Sequence, residues 1–172
     1  MLRIPKRYFL IRDVSFELCA GDMMALMSAS ESESRALLDV LSGQYQQCNV
    51  RAYVTREELP KALTVVQYLR INAAIHPPAA KTFKTENMID QLLATLALAL
   101  RRHTLCSRLS IAETHRLRIA AQLLKDADIL ICDNVAKDMD NYETAFVIDY
   151  LRDWAIKLNR IVVMCIAPSS FD

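Results

Sequence analysis

Between Leu109 and Asp140 the chain carries a helix start, a helix, a wholly apolar run and an acid, in that order. Ser110 and Glu113 stand in the S-x-x-E relation of a capping box, in which hydroxyl and carboxylate each satisfy an orphan N–H of a helix N-terminus. A helix is therefore expected to start there and to run through Gln122, Leu123 and Leu124. Ile129-Leu130-Ile131-Cys132 offers no polar face, the pattern of a strand covered on both sides. Asp133 follows directly. Open α/β sheets hold their ligands at the carboxyl ends of parallel strands, so Asp133 is the first candidate functional residue.

The same alternation recurs toward the N-terminus. Asp22–Met27 reads as a strand, Ser28–Ser34 as a polar loop, and Arg35–Ser42 as a helix through Leu37, Leu38 and Leu41, with Gly43 at C′. That is the strand-loop-helix of a P-loop. Residues 63–125 read as mostly helical, split by the loop Ile75-His76-Pro77-Pro78-Ala79-Ala80. Within them Ile89, Leu92, Leu93, Leu96 and Leu100 recur at helical spacing and predict a core helix. After Asp140, Tyr142–Leu158 predicts a helix with Val147, Leu151, Trp154 and Leu158 on one face, and a last strand follows Asn159-Arg160. The expectation is an α/β fold in one domain. Its sheet core takes residues 8–58 and 127–172, and a helical subdomain takes about 63–125.

Composition narrows the function classes. Hydrophobic residues make up 53% of the 172 positions, enough for a sizeable core. No uninterrupted apolar run approaches the ~20 residues that cross a bilayer, so no transmembrane domain is expected in this chain. Arg3, Lys6 and Arg7 near the start lack the apolar stretch of a signal peptide. A net charge of +1 gives no support for a nucleic-acid partner. Five cysteines without a C-x-x-C pair indicate reduced thiols, with Cys132 and Cys165 as small core residues. His76, His103 and His115 have no metal-ligand spacing.

The run from Leu109 to Asp140 resembles the signature helix and Walker B strand of ATP-binding cassette (ABC) proteins. Met24-Ala25-Leu26-Met27 and Leu37-Leu38-Asp39-Val40-Leu41-Ser42-Gly43 look like the Walker A surroundings of the white/ABCG transporters. Leu63-Thr64-Val65 and Asn159-Arg160-Ile161-Val162-Val163 extend the likeness in family order. The resemblance implies a P-loop NTPase-like (ABC ATPase) sheet with an inserted helical subdomain, and ATP with Mg²⁺ as cofactors. It further implies a second nucleotide-binding domain (homo- or heterodimer), a transmembrane domain as partner, and a place on the cytoplasmic face of a membrane, reached only through that partner. The segment between Gly43 and Tyr53 is short for the strand pair usual there, and the chain stops at Asp172, before the family's C-terminal elements.

At the positions that carry chemistry the likeness thins. A phosphate loop needs glycines so that backbone N–H groups close on phosphate, a Lys for the β and γ charges and a hydroxyl for Mg²⁺. Aligned on Leu37-Leu38, the three glycine positions hold Ser28, Glu31 and Glu33, the lysine position Ser34, and the hydroxyl position Arg35. Charges about 4 Å apart interact at roughly 4 kcal/mol with an effective dielectric near 20, so exchanging attraction for repulsion weakens phosphate binding by decades. Ser28-x-x-Glu31 and Ser30-x-x-Glu33 are also capping-box patterns, and Glu31 or Glu33 is expected to fill the anion site that phosphate would otherwise occupy.

Asp133 matches the Walker B aspartate, and the resemblance implies a Mg²⁺ contact for it. Asn134 stands where the family carries its catalytic glutamate. An amide orients water but cannot take its proton, and general-base catalysis is worth about 10²- to 10⁴-fold. The Q-loop glutamine position falls on Arg56 or Thr55, and the switch segment Cys165-Ile166-Ala167-Pro168 lacks a histidine. Asp140 matches the D-loop aspartate. Asp133 and Asp140 read equally well as strand-end and helix-cap acids. In the signature, Ser110 persists while Ile111 and Ala112 take the glycine positions, leaving Ser110 either to face a partner's γ-phosphate or simply to cap a helix. Two functional readings stay open: a catalytically degenerate ABCG-type nucleotide-binding subunit, and a soluble ATP-independent pseudo-ATPase serving as a regulatory or scaffold module.

Overall fold

The computed structural model describes residues 11–28, 30–43, 51–54, 58–75, 82–134 and 137–166. Its elements run β1 (Met23–Leu26), α1 (Glu31–Leu41), β2 (Arg51–Val54), α2 (Val65–Ile75), α3 (Thr82–Thr95), α4 (Ile111–Leu123), β3 (Ile129–Cys132), α5 (Asn141–Leu158) and β4 (Ile161–Cys165). Two 3₁₀ turns, Ala99–Arg101 and Cys106–Arg108, lead from α3 into α4.

The four strands form one parallel sheet in the order β1-β4-β3-β2. Ile131 and Val163 are paired at its centre, with Met24 beyond Val163 and Tyr53 beyond Ile131. Successive side chains alternate between faces, and at β3 and β4 both faces are buried. Leu130, Cys132, Val162 and Met164 join the larger core, made with α2 to α5. Ile131, Val163 and Cys165 join a smaller core closed by Leu38 of α1. This two-sided cover is why β3 and β4 read as continuous apolar runs rather than alternating ones. Burial pushes the Cys132 thiol well above its ordinary range, so it stays a protonated core residue.

The starts of α4 and α5 and the end of α1 follow from local chemistry. Ser110 and Glu113 form the complete capping box. Asp140 caps α5, accepting a hydrogen bond from the Glu143 N–H at 2.8 Å. Gly43, at φ +74, takes the left-handed position beyond the Ser42 cap of α1.

Three expectations shift. Helix α1 begins at Glu31 rather than Arg35, because the Ser30 hydroxyl caps it by accepting from the Glu33 N–H at 3.3 Å. Leu100 is not in the core: α3 stops at Thr95, Ala97 turns to φ +53, and Leu100 projects from a 3₁₀ turn at 98% exposure. Leu158, in the last turn of α5, is also exposed, while Val147 and Leu151 are fully buried as the spacing predicts. Arg56, Thr55, Ala167 and Pro168, and residues 76–80 of the expected loop, lie outside the described residues. No helix among the described residues is long and apolar enough to cross a membrane.

Candidate functional site

The structure sorts the predicted site residues into two groups. The first lies at the carboxyl ends of β1 and β3, where the strand pattern places a ligand. Ser28 follows β1, and its hydroxyl donates to the Ser30 carbonyl at 2.8 Å and pairs with the Ser34 hydroxyl. Ser34 shares its one hydroxyl proton between Ser28 Oγ and the Ser30 carbonyl 3.3 Å away, and the Ser30 and Ser32 hydroxyls meet at 2.9 Å. The hydroxyls of this loop therefore bond to the loop itself. Its side chains close the turn that glycines and a phosphate would otherwise close together.

Arg35, in the second turn of α1, reaches across to β3. Its Nη2 lies 3.6 Å from Oδ2 of Asp133, whose side chain is only 6% exposed. A buried carboxylate is costly without a compensating cation, and the guanidinium supplies one. The Asp133 N–H donates to the Val54 carbonyl at 3.2 Å, which fixes the strand end between β2 and α1. Asn134 follows at φ +48, a left-handed conformation that asparagine tolerates better than most residues. Its carbonyl accepts from the Lys137 N–H at 3.2 Å, so the residue opens a turn.

The second group sits at the N-termini of α4 and α5. The Ser110 N–H donates to Glu113 Oε2 at 2.9 Å, and the Glu113 N–H returns a bond to the Ser110 hydroxyl at 3.1 Å. Arg101 Nε holds the other carboxylate oxygen at 2.7 Å. Burial alone would raise the Glu113 carboxyl; the bond from the Ser110 backbone and the Arg101 charge outweigh it and hold it below the usual range. Ile111 projects from the first turn at 56% exposure, and Ala112 beside it is half-buried. Asp140 is exposed, and its carboxylate is engaged as the α5 cap.

One residue of this corner escaped the sequence patterns. Arg116, buried on α4, lies 3.6 Å from Glu143 of α5 and stacks over the Phe146 ring at 5.5 Å from its centroid. It ties α4 to α5. Nothing in the spacing marks it, since a buried arginine is identified only by partners distant in sequence.

Among the described residues no cluster of three His, Cys, Asp or Glu side chains is placed to hold a metal ion. A cation already stands beside Asp133, and the adjoining hydroxyl position is an arginine, so this donor set does not fit Mg²⁺. A cavity of about 910 Å³ lies between α3 and α5, lined by Leu92, Phe146, Tyr150 and Trp154, and contains none of the predicted site residues.

Comparison with known proteins bears on the family and the fold. The ABC transporter G family member 6 of Dictyostelium discoideum is 25% identical over 96% of this chain and 12% of its own length. Protein white of Drosophila melanogaster is 25% identical over 96% of the chain and 28% of its own, and human ATP-binding cassette sub-family G member 5 is 25% identical over 91% and 28%. The chain thus spans less than a third of the length of these relatives. In fold it matches the cbiO1 structure from Clostridium perfringens, part of the ABC transporter complex cbiONQ, with a TM-score of 0.79, 14% identity and coverage of 92% of this chain and 72% of that one. A metal-chelate type ABC transporter in an inward-facing conformation matches with a TM-score of 0.78, 20% identity and coverage of 92% and 68%. The ABC transporter family model matches residues 11–137, most of the chain, and the chain belongs to that family.

Proposed function

We propose that this chain is the nucleotide-binding subunit of a white/G-type ABC transporter assembly, and that its own ATP site is degenerate. In this reading residues 8–58 and 127–172 form the sheet core of a single nucleotide-binding domain, with residues 63–125 as its helical subdomain. It serves on the cytoplasmic face of a membrane as the structural half of a dimer. The second nucleotide-binding domain supplies hydrolysis, and a transmembrane domain reads the substrate.

The observation that carries the degenerate site is the self-closed loop from Ser28 to Ser34. Its hydroxyls bond to each other and to the Ser30 carbonyl, while Glu33 puts a negative charge in the first turn of α1, at its positive end. A phosphate arriving there meets like charge and a turn whose hydroxyls are taken. Asn134 removes the base, and Ile111 and Ala112 remove the close backbone approach that the signature offers to a partner's nucleotide. Asp133 and Asp140 act as strand-end and helix-cap acids.

Calorimetric titration with Mg-ATP tests the reading. No binding heat and no thermal stabilisation are expected at millimolar nucleotide. Micromolar binding that Asp133→Ala weakens would overturn it. The soluble-scaffold alternative is separated by co-expression with a G-type transmembrane subunit, where stoichiometric co-purification is the expected result.

A further inference from the structure

We infer that Arg35 takes the place of the divalent ion itself: its guanidinium is a built-in, permanent counter-charge for Asp133, and this corner has become independent of metal. The inference rests on reading the corner as a former phosphate site, but it concerns the cation rather than the nucleotide.

Three observations lead to it. Arg35 stands in the sequence at the position that would supply a Mg²⁺-binding hydroxyl, so the metal has lost one ligand. The same side chain spans from α1 to the strand end and places Nη2 3.6 Å from the Asp133 carboxylate, within ion-pair range. Asp133 is almost wholly buried, whereas Arg35 is half-exposed, at 54%. A cation beside a carboxylate at that depth stabilises its charged form, and the guanidinium is there whether or not a nucleotide has brought a metal. An arginine, unlike a bound ion, never dissociates. The pair therefore ties the phosphate-loop helix to the Walker B strand end whether or not any ligand is present. A metal and the guanidinium compete for the same carboxylate, and the guanidinium is covalently attached to the neighbouring helix.

Removing the arginine should then reopen the carboxylate to an external ion. The test compares melting temperatures of the full chain, without nucleotide, in MnCl₂ and in NaCl of equal ionic strength. Arg35→Ser should melt about 3 °C below the wild type, a shift of the size expected for one modest interaction in a chain this long. Millimolar Mn²⁺ should restore at least half of that loss, while NaCl should restore none. The wild type should not move with Mn²⁺, and Arg35→Ser combined with Asp133→Asn should be insensitive to it. Arg35→Gln, closer in size, gives the same comparison if the serine variant does not fold. A wild type that shifts with Mn²⁺ as much as Arg35→Ser overturns the inference, and so does the absence of Mn²⁺ rescue in both arginine variants. Mg-ATP binding by the wild type would instead strike the degenerate-site reading, so the two failures are told apart.

Discussion

The two corners where the family places nucleotide contacts both use a serine-capped helix N-terminus, and they use it differently. At α4 the cap is reciprocal: Ser110 and Glu113 exchange bonds at 2.9 and 3.1 Å, and Arg101 holds the remaining carboxylate oxygen. At α1 the cap runs one way, with a long 3.3 Å bond from the Glu33 N–H to Ser30, and the other hydroxyls turn inward on the loop. The difference teaches which chemistry stands without a ligand. Ser110 and Glu113 stabilise a helix whether or not ATP is bound. Glycines and a lysine at the phosphate loop stabilise little without phosphate, and here hydroxyls, acids and an arginine occupy those places.

The sharpest way to break this comparison is to cut the link behind the signature corner. Arg116→Ala removes an ion pair to Glu143, a cation over Phe146 and the packing of a long aliphatic stem. Breaking a fully buried pair costs about 3–5 kcal/mol; with Glu143 26% exposed, about 2 kcal/mol is expected. Calorimetry should show the melting temperature falling by about 4–8 °C. A fall smaller than that of a single cap deletion would mean that α4 and α5 are not coupled through this contact.

Cap deletions grade the corners directly. Ser110→Ala should cost about 1 kcal/mol and Ser30→Ala about half of that, because the Ser30 bond is longer and unreciprocated. Urea unfolding of both variants gives the ranking, and equal losses would erase the contrast drawn above. Glu113 adds a pH signature. Its folded carboxyl titrates below the unfolded value of about 4.3, so its stabilisation is complete above that pH and is lost as pH falls through the lower folded value. Glu113→Gln should therefore flatten the wild type's loss of stability on acidification below about pH 4.3, with little change in shape at neutral pH.

The elements legible in the sequence were those whose cause is local. Ile129–Cys132 had no polar face, Ser110 and Asp140 were caps three residues before an N–H they bond, and Gly43 stood where a left-handed residue ends a helix. The α1 start reads late because Ser28–Ser34 is mostly polar and looks like a loop, although Ser30-x-x-Glu33 carries the capping pattern that the structure uses. Leu100 misled because apolar spacing carries no sign of the chain reversal at Ala97, an alanine in a conformation that its side chain does not favour. In the site, the residue identities at the phosphate loop were legible and their pairing was not. Arg35 with Asp133, and Arg116 with Glu143, join segments far apart in sequence, so each contact exists only once the sheet and helices have packed.

Asn134→Gly carries the smallest expected effect, and this position separates backbone from chemistry at the phosphate corner. It occupies the position of the family's catalytic glutamate, yet its left-handed φ of +48 and its bond from the Lys137 N–H give it a reason to be asparagine that involves no reaction. Asn134→Gly relieves any residual strain but adds freedom to the unfolded chain, so the two terms should nearly cancel, within about 0.5 kcal/mol. Asn134→Glu restores the carboxylate but places a residue less suited to left-handed backbone there, at a cost of about 1 kcal/mol. With Arg35 still against Asp133 and the loop still self-closed, this variant should melt lower and release no phosphate from ATP. Hydrolysis by Asn134→Glu would show that the missing base, and not the phosphate loop, is what silences the site. The comparison between the two corners would then have to be drawn at β3 instead of α1.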